Sequence, residues 1–116
     1  MRTSERKINK TLKTQIQKVF AQTVCDFKGV ENTQSFLKDF FTDSEYETFA
    51  KRLAVAYWLK KGRSYENIKE NLKVSSATIA TVQTMLAKEG FQKALQKIEA
   101  EEWASTWSER IKKFVP

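Results

Sequence analysis

Apolar residues recur along the first part of the chain at steps of three and four: Ile8, Leu12, Ile16, Val19, Phe20, Val24 and Phe27. That period marks one face of an α-helix, and the opposite face is Lys, Gln and Thr. The pattern predicts an amphipathic helix from about Ser4 to Phe27, with Gly29 as its C-terminal cap. A helix of that length with one apolar face needs a partner to cover it. A short second helix is expected around Phe36, Leu37, Phe40 and Phe41. Thr42-Asp43-Ser44-Glu45 then matches a capping box, in which hydroxyl and carboxylate satisfy each other's free backbone donors. The third helix runs from there to Lys61 and stops at Gly62, with Lys60 and Lys61 set against the negative end of its dipole. Its stretch Ala54-Val55-Ala56-Tyr57-Trp58-Leu59 is apolar on every side, as expected of a central core helix. Near the end, Phe91, Leu95 and Ile98 begin a stripe that Trp103, Trp107, Ile111 and Phe114 continue. The five-residue step from Ile98 to Trp103 predicts a slip in phase or a bend.

Between these elements lies the most informative stretch, Ser64 to Met85. Ser64 caps a short helix with Ile68 and Leu72 inward, Val74 occupies a turn, and Ser75 is a natural N-cap for a second helix with Ile79, Val82 and Leu86 inward. This is the spacing of two short helices packed at a steep angle, a helix-turn-helix. Ser76, Ala77, Ala80, Gln83 and Thr84 face outward, small or neutral side chains on a highly charged protein. A helix entering the major groove needs such residues: the backbone approaches base edges closely, hydroxyls meet donors or acceptors, and Ala meets thymine methyls. The candidate DNA-binding set is Ser75, Ser76, Ala77, Thr78, Ala80, Thr81, Thr84, Lys69 and Lys73. Lys60, Lys61, Arg63 and Lys88 are further candidates for phosphate contacts. The plainer alternative is an αα-corner whose Ser and Thr residues only cap helices. Lys73 stands where such turns usually hold glycine, so it must adopt a left-handed backbone or open the turn.

Composition narrows the field further. The 116 residues are 41% hydrophobic and 30% charged, with one Pro and three Gly, which fits a globular all-α protein. A single domain over 1–116 is expected: core and dimerisation helices over 1–62, the helix-turn-helix over 64–86 and a C-terminal helix over 91–115. Lys and Arg outnumber Asp and Glu 21 to 14, a net charge of +7 that favours a polyanionic partner. There is no His and a single Cys, Cys25, so Cys/His metal sites, His-based acid–base chemistry and an internal disulfide are excluded. Cys25 is expected to pack as a small apolar residue on the first helix. Neither a signal-like apolar stretch nor a membrane-spanning run is visible, and a cytoplasmic location is expected. Glu45, Glu47, Glu101 and Glu102 supply carboxylates, yet none comes with a nucleophile, metal cluster or phosphate loop. Neither an enzyme nor a bound cofactor is expected.

Phe41-Thr42-Asp43-Ser44-Glu45, Lys51-Arg52-Leu53-Ala54-Val55-Ala56, Gly62-Arg63-Ser64-Tyr65 and Ile68 to Val82, with Ala77-Thr78-Ile79 in it, resemble the bacterial Trp repressor superfamily, in particular its Trp-repressor-like branch. The similarity is clear from Phe36 to about Leu86. The resemblance implies a helical Trp-repressor-like fold, an intertwined homodimer and two reading heads on a palindromic operator. It also implies that Ser76, Ala77 and Ala80 line the groove, and it makes a lysine at position 69 expected. Arg52 and Thr42 match positions around the repressor's corepressor pocket. The pocket's second arginine is replaced by Thr81 and its glycine by Val82, which fills indole space, so tryptophan binding is not expected. Arg52 is expected instead in a structural salt bridge with a carboxylate, with a phosphate contact as the alternative.

Two aromatic and basic clusters have plainer readings. Trp103 and Trp107 suit core or dimer packing better than base stacking, and Arg2, Arg6, Lys7, Lys10 and Lys13 suit a solvated helix end better than a DNA arm. The function expected is sequence-specific binding of double-stranded DNA by a dimeric transcriptional regulator. The alternative is a helical protein–protein interaction module of a DNA-processing, phage or transposition complex.

Overall fold

The computed structural model describes residues 7–114, and side chains up to residue 102. Every regular element among the described residues is a helix: α1 (Lys10–Asp26), α2 (Val30–Phe40), α3 (Asp43–Lys60), α4 (Tyr65–Leu72), α5 (Ser76–Met85) and α6 (Glu89–Phe114). The chain divides into two units, one ending at Tyr46 and the other starting at Glu47.

In the first unit α1 starts later than its apolar stripe suggests. The Asn9 side chain accepts hydrogen bonds from the Thr11 and Leu12 amides, 2.8 and 3.4 Å away, and this cap fixes the start at Lys10 rather than near Ser4. The other end also differs from expectation. Phe27 leaves α1 in an extended conformation, and Gly29, at φ 83°, is the N-cap of α2 rather than the C-cap of α1. Glycine takes that backbone without the Cβ clash other residues would meet. Phenylalanines hold the two helices together: Phe27 stacks on Phe36 at 4.8 Å, Phe36 on Phe40 at 5.4 Å, and Phe20 meets Phe40 edge-on at 5.1 Å. Even so, α1 and α2 have no buried residue. Cys25 is exposed, because the apolar stripe passes it by on Val24.

The capping box forms as read. The Thr42 amide donates to the Glu45 carboxylate at 2.9 Å and the Glu45 amide donates to the Thr42 hydroxyl at 3.1 Å, which starts α3. In the second unit α3 stops with the Gly62 amide bonded to the Leu59 carbonyl and the Arg63 amide to the Trp58 carbonyl, with Gly62 at φ 82°. These two bonds make the glycine-terminated Schellman cap. The Arg63 guanidinium closes it by lying over the Trp58 ring, 4.0 Å from its centre.

Val55 and Ala56 of α3, Ile68 of α4, Ile79 and Val82 of α5 and Leu95 of α6 form the buried core of the described residues. Tyr57, Trp58, Leu59, Leu72, Val74, Leu86, Phe91 and Ile98 pack against it. Helix α6 passes through the step between Ile98 and Trp103 without interruption. The side chains of Trp103, Trp107, Ile111 and Phe114 lie outside the described residues, as do Arg2 and Arg6. Polar contacts add to the packing of α3 on α6: Lys60 pairs with Glu99 at 3.4 Å, Lys61 with Glu102 at 3.2 Å, and the Tyr57 hydroxyl donates to Glu102.

Two changes test these local structures. The Thr42 amide, and then the Thr42 hydroxyl, hold the Glu45 carboxyl below its ordinary value of 4.5. A carboxylate whose pKa falls on folding contributes stability above its unfolded value and loses it as pH drops through the folded one. Glu45→Gln therefore lowers stability at pH 7, and the gap to wild type narrows steadily below about pH 4.5, measured by urea denaturation across that range. Lys73 sits at φ 55°, ψ 51°, left-handed backbone that costs a side-chain-bearing residue about 1–2 kcal/mol. Lys73→Gly removes that strain against a smaller loss of chain entropy, so denaturation should show a gain of about 0.5–1 kcal/mol.

Candidate nucleic-acid interface

Helices α4 and α5 are 8 and 10 residues long, too short to persist alone, and each is started by a serine. Ser64 accepts from the Asn67 amide at 3.1 Å and Ser75 from the Thr78 amide at 3.1 Å. Between them Lys73 turns the chain in the left-handed conformation, its amide bonded to the Lys69 carbonyl at 3.1 Å. The turn closes because the lysine accepts the strained backbone. Ile68 and Ile79 are 0% exposed and Val82 is 2% exposed, which sets the angle between the two helices.

That burial leaves the opposite side of α5 in solvent. Ser76, Ala77, Ala80 and Thr84 are exposed, as are Ser75, Thr78, Thr81, Lys69 and Lys73, so all nine residues singled out from the sequence are accessible. They divide by role. Ser75 is spent on its cap, its hydroxyl 3.0 Å from that of Thr78. The hydroxyls of Thr81 and Thr84 donate back to the Ala77 and Thr81 carbonyls at 3.0 and 2.6 Å, so each turns its oxygen outward as an acceptor. Ser76, Ala77 and Ala80 form a narrow ridge. An α-helix is about 10–12 Å across with its side chains, a match for a major groove about 12 Å wide, and ten residues run about 15 Å along it.

Beside this ridge, between α3 and α5, lies an open cavity of about 510 Å³. Lys51, Arg52 and Lys73 line it together with the hydroxyls of Thr48, Ser75 and Thr81, and no carboxylate is among its lining residues. Lys51 is partly offset by Glu47 at 3.2 Å, an exposed pair worth little. Arg52 makes no ion pair among the described residues. Its guanidinium lies 5.4 Å from the centre of the Phe49 ring, so the expected salt bridge is replaced by a cation–π contact. Val82 contributes to the wall and to the core at once. Thr42 spends its hydroxyl on the α3 cap.

Other cations sort differently from expectation. Lys60 and Lys61 are engaged by Glu99 and Glu102, and Arg63 by Trp58 and by the Asn67 side chain at 3.3 Å, so these three are poorer phosphate candidates than the sequence suggests. Periodicity could not reveal this, because the partners of the two lysines lie about forty residues away on α6. Helix α4 also carries Glu66 and Glu70, which leaves the cavity side the more positive flank of α5. Glu45, Glu47 and Glu102 are tied up in a cap, an ion pair and a tyrosine contact. Among the described residues no group of three or more potential metal ligands occurs, and no helix is long and apolar enough to cross a membrane.

One residue outside the nine takes a defined place. Gln83 is exposed, and its side-chain carbonyl accepts from the Tyr65 hydroxyl at the start of α4. Its spacing from Ser76 and Ala80, seven and three residues, was the available signal.

The chain has relatives in sequence and in fold. The chain is 29% identical over 86 residues to the uncharacterized protein YerC of Bacillus subtilis (strain 168), a match covering 72% of this chain and 83% of that protein. The crystal structure of a TrpR-like protein from Eubacterium eligens ATCC 27750 superposes with a TM-score of 0.71 at 28% identity, over 78% of this chain and 96% of that one. A solved structure from Staphylococcus aureus, 23% identical with a TM-score of 0.67, covers 79% of this chain and 96% of its own, and at that identity it shows the shared fold alone. The family model described as Trp repressor protein matches residues 7–99, most of the chain, and the chain belongs to that family.

Proposed function

We propose that this chain is a dimeric, sequence-specific regulator of transcription that reads duplex DNA with α5. The observation carrying this reading is the exposed ridge of Ser76, Ala77 and Ala80, flanked by a cavity with Arg52, Lys51 and Lys73 in its wall and no carboxylate. The ridge meets base edges, and the cations and the α5 N-terminus receive backbone phosphates. Lys69, on the other side of the turn, adds a further phosphate contact. The Trp repressor family membership supports the same reading.

Dimerisation has a separate support. Leu12, Ile16 and Val19 of α1 are 47%, 50% and 64% exposed, an apolar stripe that a lone chain would leave in water. A second copy of the chain covers it and supplies a second reading head. Two such heads on one side of a duplex require half-sites about one helical turn, roughly 34 Å, apart.

A tryptophan corepressor does not fit the cavity. Thr81 offers no cation there, and Val82, anchored in the core, occupies the wall. Isothermal titration with tryptophan should give no saturable heat.

Light scattering at micromolar concentration is expected to return twice the 13.5 kDa chain mass, and a monomer mass would remove the dimer. Mobility-shift assays against genomic fragments should show retarded bands that fade as salt rises. Arg52→Ala and Lys73→Ala should each weaken binding evenly across sequences and lower the salt slope by about one per chain. Binding indifferent to both sequence and salt, or no retarded fragment at low salt, would defeat the reading.

A further inference from the structure

Among the described residues three cations rest on aromatic rings: Lys61 on Tyr57, Arg63 on Trp58 and Arg52 on Phe49. Two of them have a further partner, since Lys61 also meets Glu102 and Arg63 also meets the Asn67 side chain. The Arg52 guanidinium makes no ion pair or hydrogen bond among the described residues. A ring attracts the charge through its face and accepts no conventional hydrogen bond, so the five N–H donors of the guanidinium stay available.

The placement of the ring bears on what the guanidinium can do. Phe49 and Arg52 are three residues apart on α3, neighbours on one face of the helix. Arg52 lines two cavities at once. One is the cation cavity beside the α5 ridge; the other, of about 520 Å³ between α3 and the start of α6, has Phe49, Leu53, Phe91 and Ala94 in its walls. Phe49 lines only the second. The ring therefore backs the guanidinium from the side of the apolar cavity, 5.4 Å from its centre, and leaves the cation cavity open before it. A long side chain on a helix surface samples many rotamers, and fixing it costs binding free energy; a ring already in contact removes part of that cost.

We propose that Phe49 is the positioning residue for Arg52: its ring holds the guanidinium at the wall of the cation cavity with the donor fork unspent, so that Arg52 meets one backbone phosphate through two N–H groups. This rests on the reading of duplex DNA by α5 proposed above. A phosphate matches the planar fork in a way that it cannot match a lysine ammonium. A carboxylate partner would also fix the side chain, but it would occupy the fork and cancel the charge. Phe49 is 41% exposed and outside the buried core, so exchange for Leu removes the ring face and keeps an apolar side chain.

A genomic fragment retarded by the wild type is the probe for mobility-shift titrations of Phe49→Leu, Phe49→Tyr, Arg52→Ala and the double variant Phe49→Leu with Arg52→Ala. Light scattering and circular dichroism melts confirm a common mass and fold, and Phe49→Met replaces Phe49→Leu should leucine change either. Phe49→Leu should raise the Kd about two- to fivefold, the range of an exposed cation–π contact. On the Arg52→Ala background the same exchange should change nothing, because the ring then has no cation to hold. Phe49→Tyr keeps the ring face and should bind as the wild type does. Equal costs of Phe49→Leu with and without Arg52 overturn the positioning role, since a residue acting independently of Arg52 behaves that way. An unchanged Kd in Phe49→Leu, or a loss in Phe49→Tyr as large as that in Phe49→Leu, overturns it too. Arg52→Ala binding as tightly as the wild type removes the phosphate contact and this inference with it, and leaves α5 standing as the reading helix. No retarded fragment for the wild type defeats the underlying reading itself.

Discussion

The presentation of α5 depends on the withdrawal of Ile79 and Val82 from water. Two helices of 8 and 10 residues carry too few internal hydrogen bonds to hold themselves, so their persistence comes from the apolar faces they bury. Ile68 anchors α4, Ile79 and Val82 anchor α5, and Val55, Ala56 and Leu95 receive them from α3 and α6. Ala56 has a part in this because it is small. A larger side chain at a fully buried site would push apart helices whose angle sets the exposed ridge. The outward residues are thus defined by the inward ones. Because Ile79 and Val82 point in, Ala80 and Thr84 point out.

Much of this arrangement was legible in the sequence, for identifiable reasons. Capping and periodicity are local, so Thr42 with Glu45, Ser64, Ser75 and the inward set from Ile68 to Val82 could be read from spacing alone. The ends of α1 were less legible. The apolar stripe runs on through Ile8, but Asn9 offers its side chain to two backbone amides and wins locally. Gly29 could serve as the stop of one helix or the start of the next, and the two roles lie only two residues apart. Long-range partners were invisible. Nothing near Lys60 announces Glu99, and nothing near Tyr65 announces Gln83. Cys25 was misplaced because a small apolar residue beside a stripe reads as part of it.

The charge has an uneven distribution that the net value hides. Of the 21 Lys and Arg, Lys60 and Lys61 are matched by carboxylates of α6, and Lys93 and Lys51 by neighbours one turn away on their own helices. Pairs at that spacing steady a helix surface and contribute a few tenths of a kcal/mol each. Arg52, Lys69, Lys73 and Lys88 are left around α5, and the cavity between α3 and α5 collects Arg52 and Lys73 with no carboxylate in its lining. The surface beside the ridge is therefore more positive than composition alone implies. An anion approaching there meets positive side chains together with the amide end of a helix dipole.

Lys73 brings these considerations together. A residue at φ 55° in a tight turn is more stable as glycine, since only glycine avoids the clash of a Cβ with the backbone. The helix dipoles do not account for the lysine either. It stands where the negative end of α4 meets the positive end of α5, and the two fields oppose each other at its charge. Nor does packing, for the side chain is exposed and makes no ion pair among the described residues. Among the described residues the strain therefore has no compensating contact. If α5 reads DNA as proposed, a cation fixed beside its first turn would be offset by a phosphate on the duplex, where a glycine would offer nothing. On the proposed reading, the turn gives up folding stability to keep a positive charge where the sugar-phosphate wall passes.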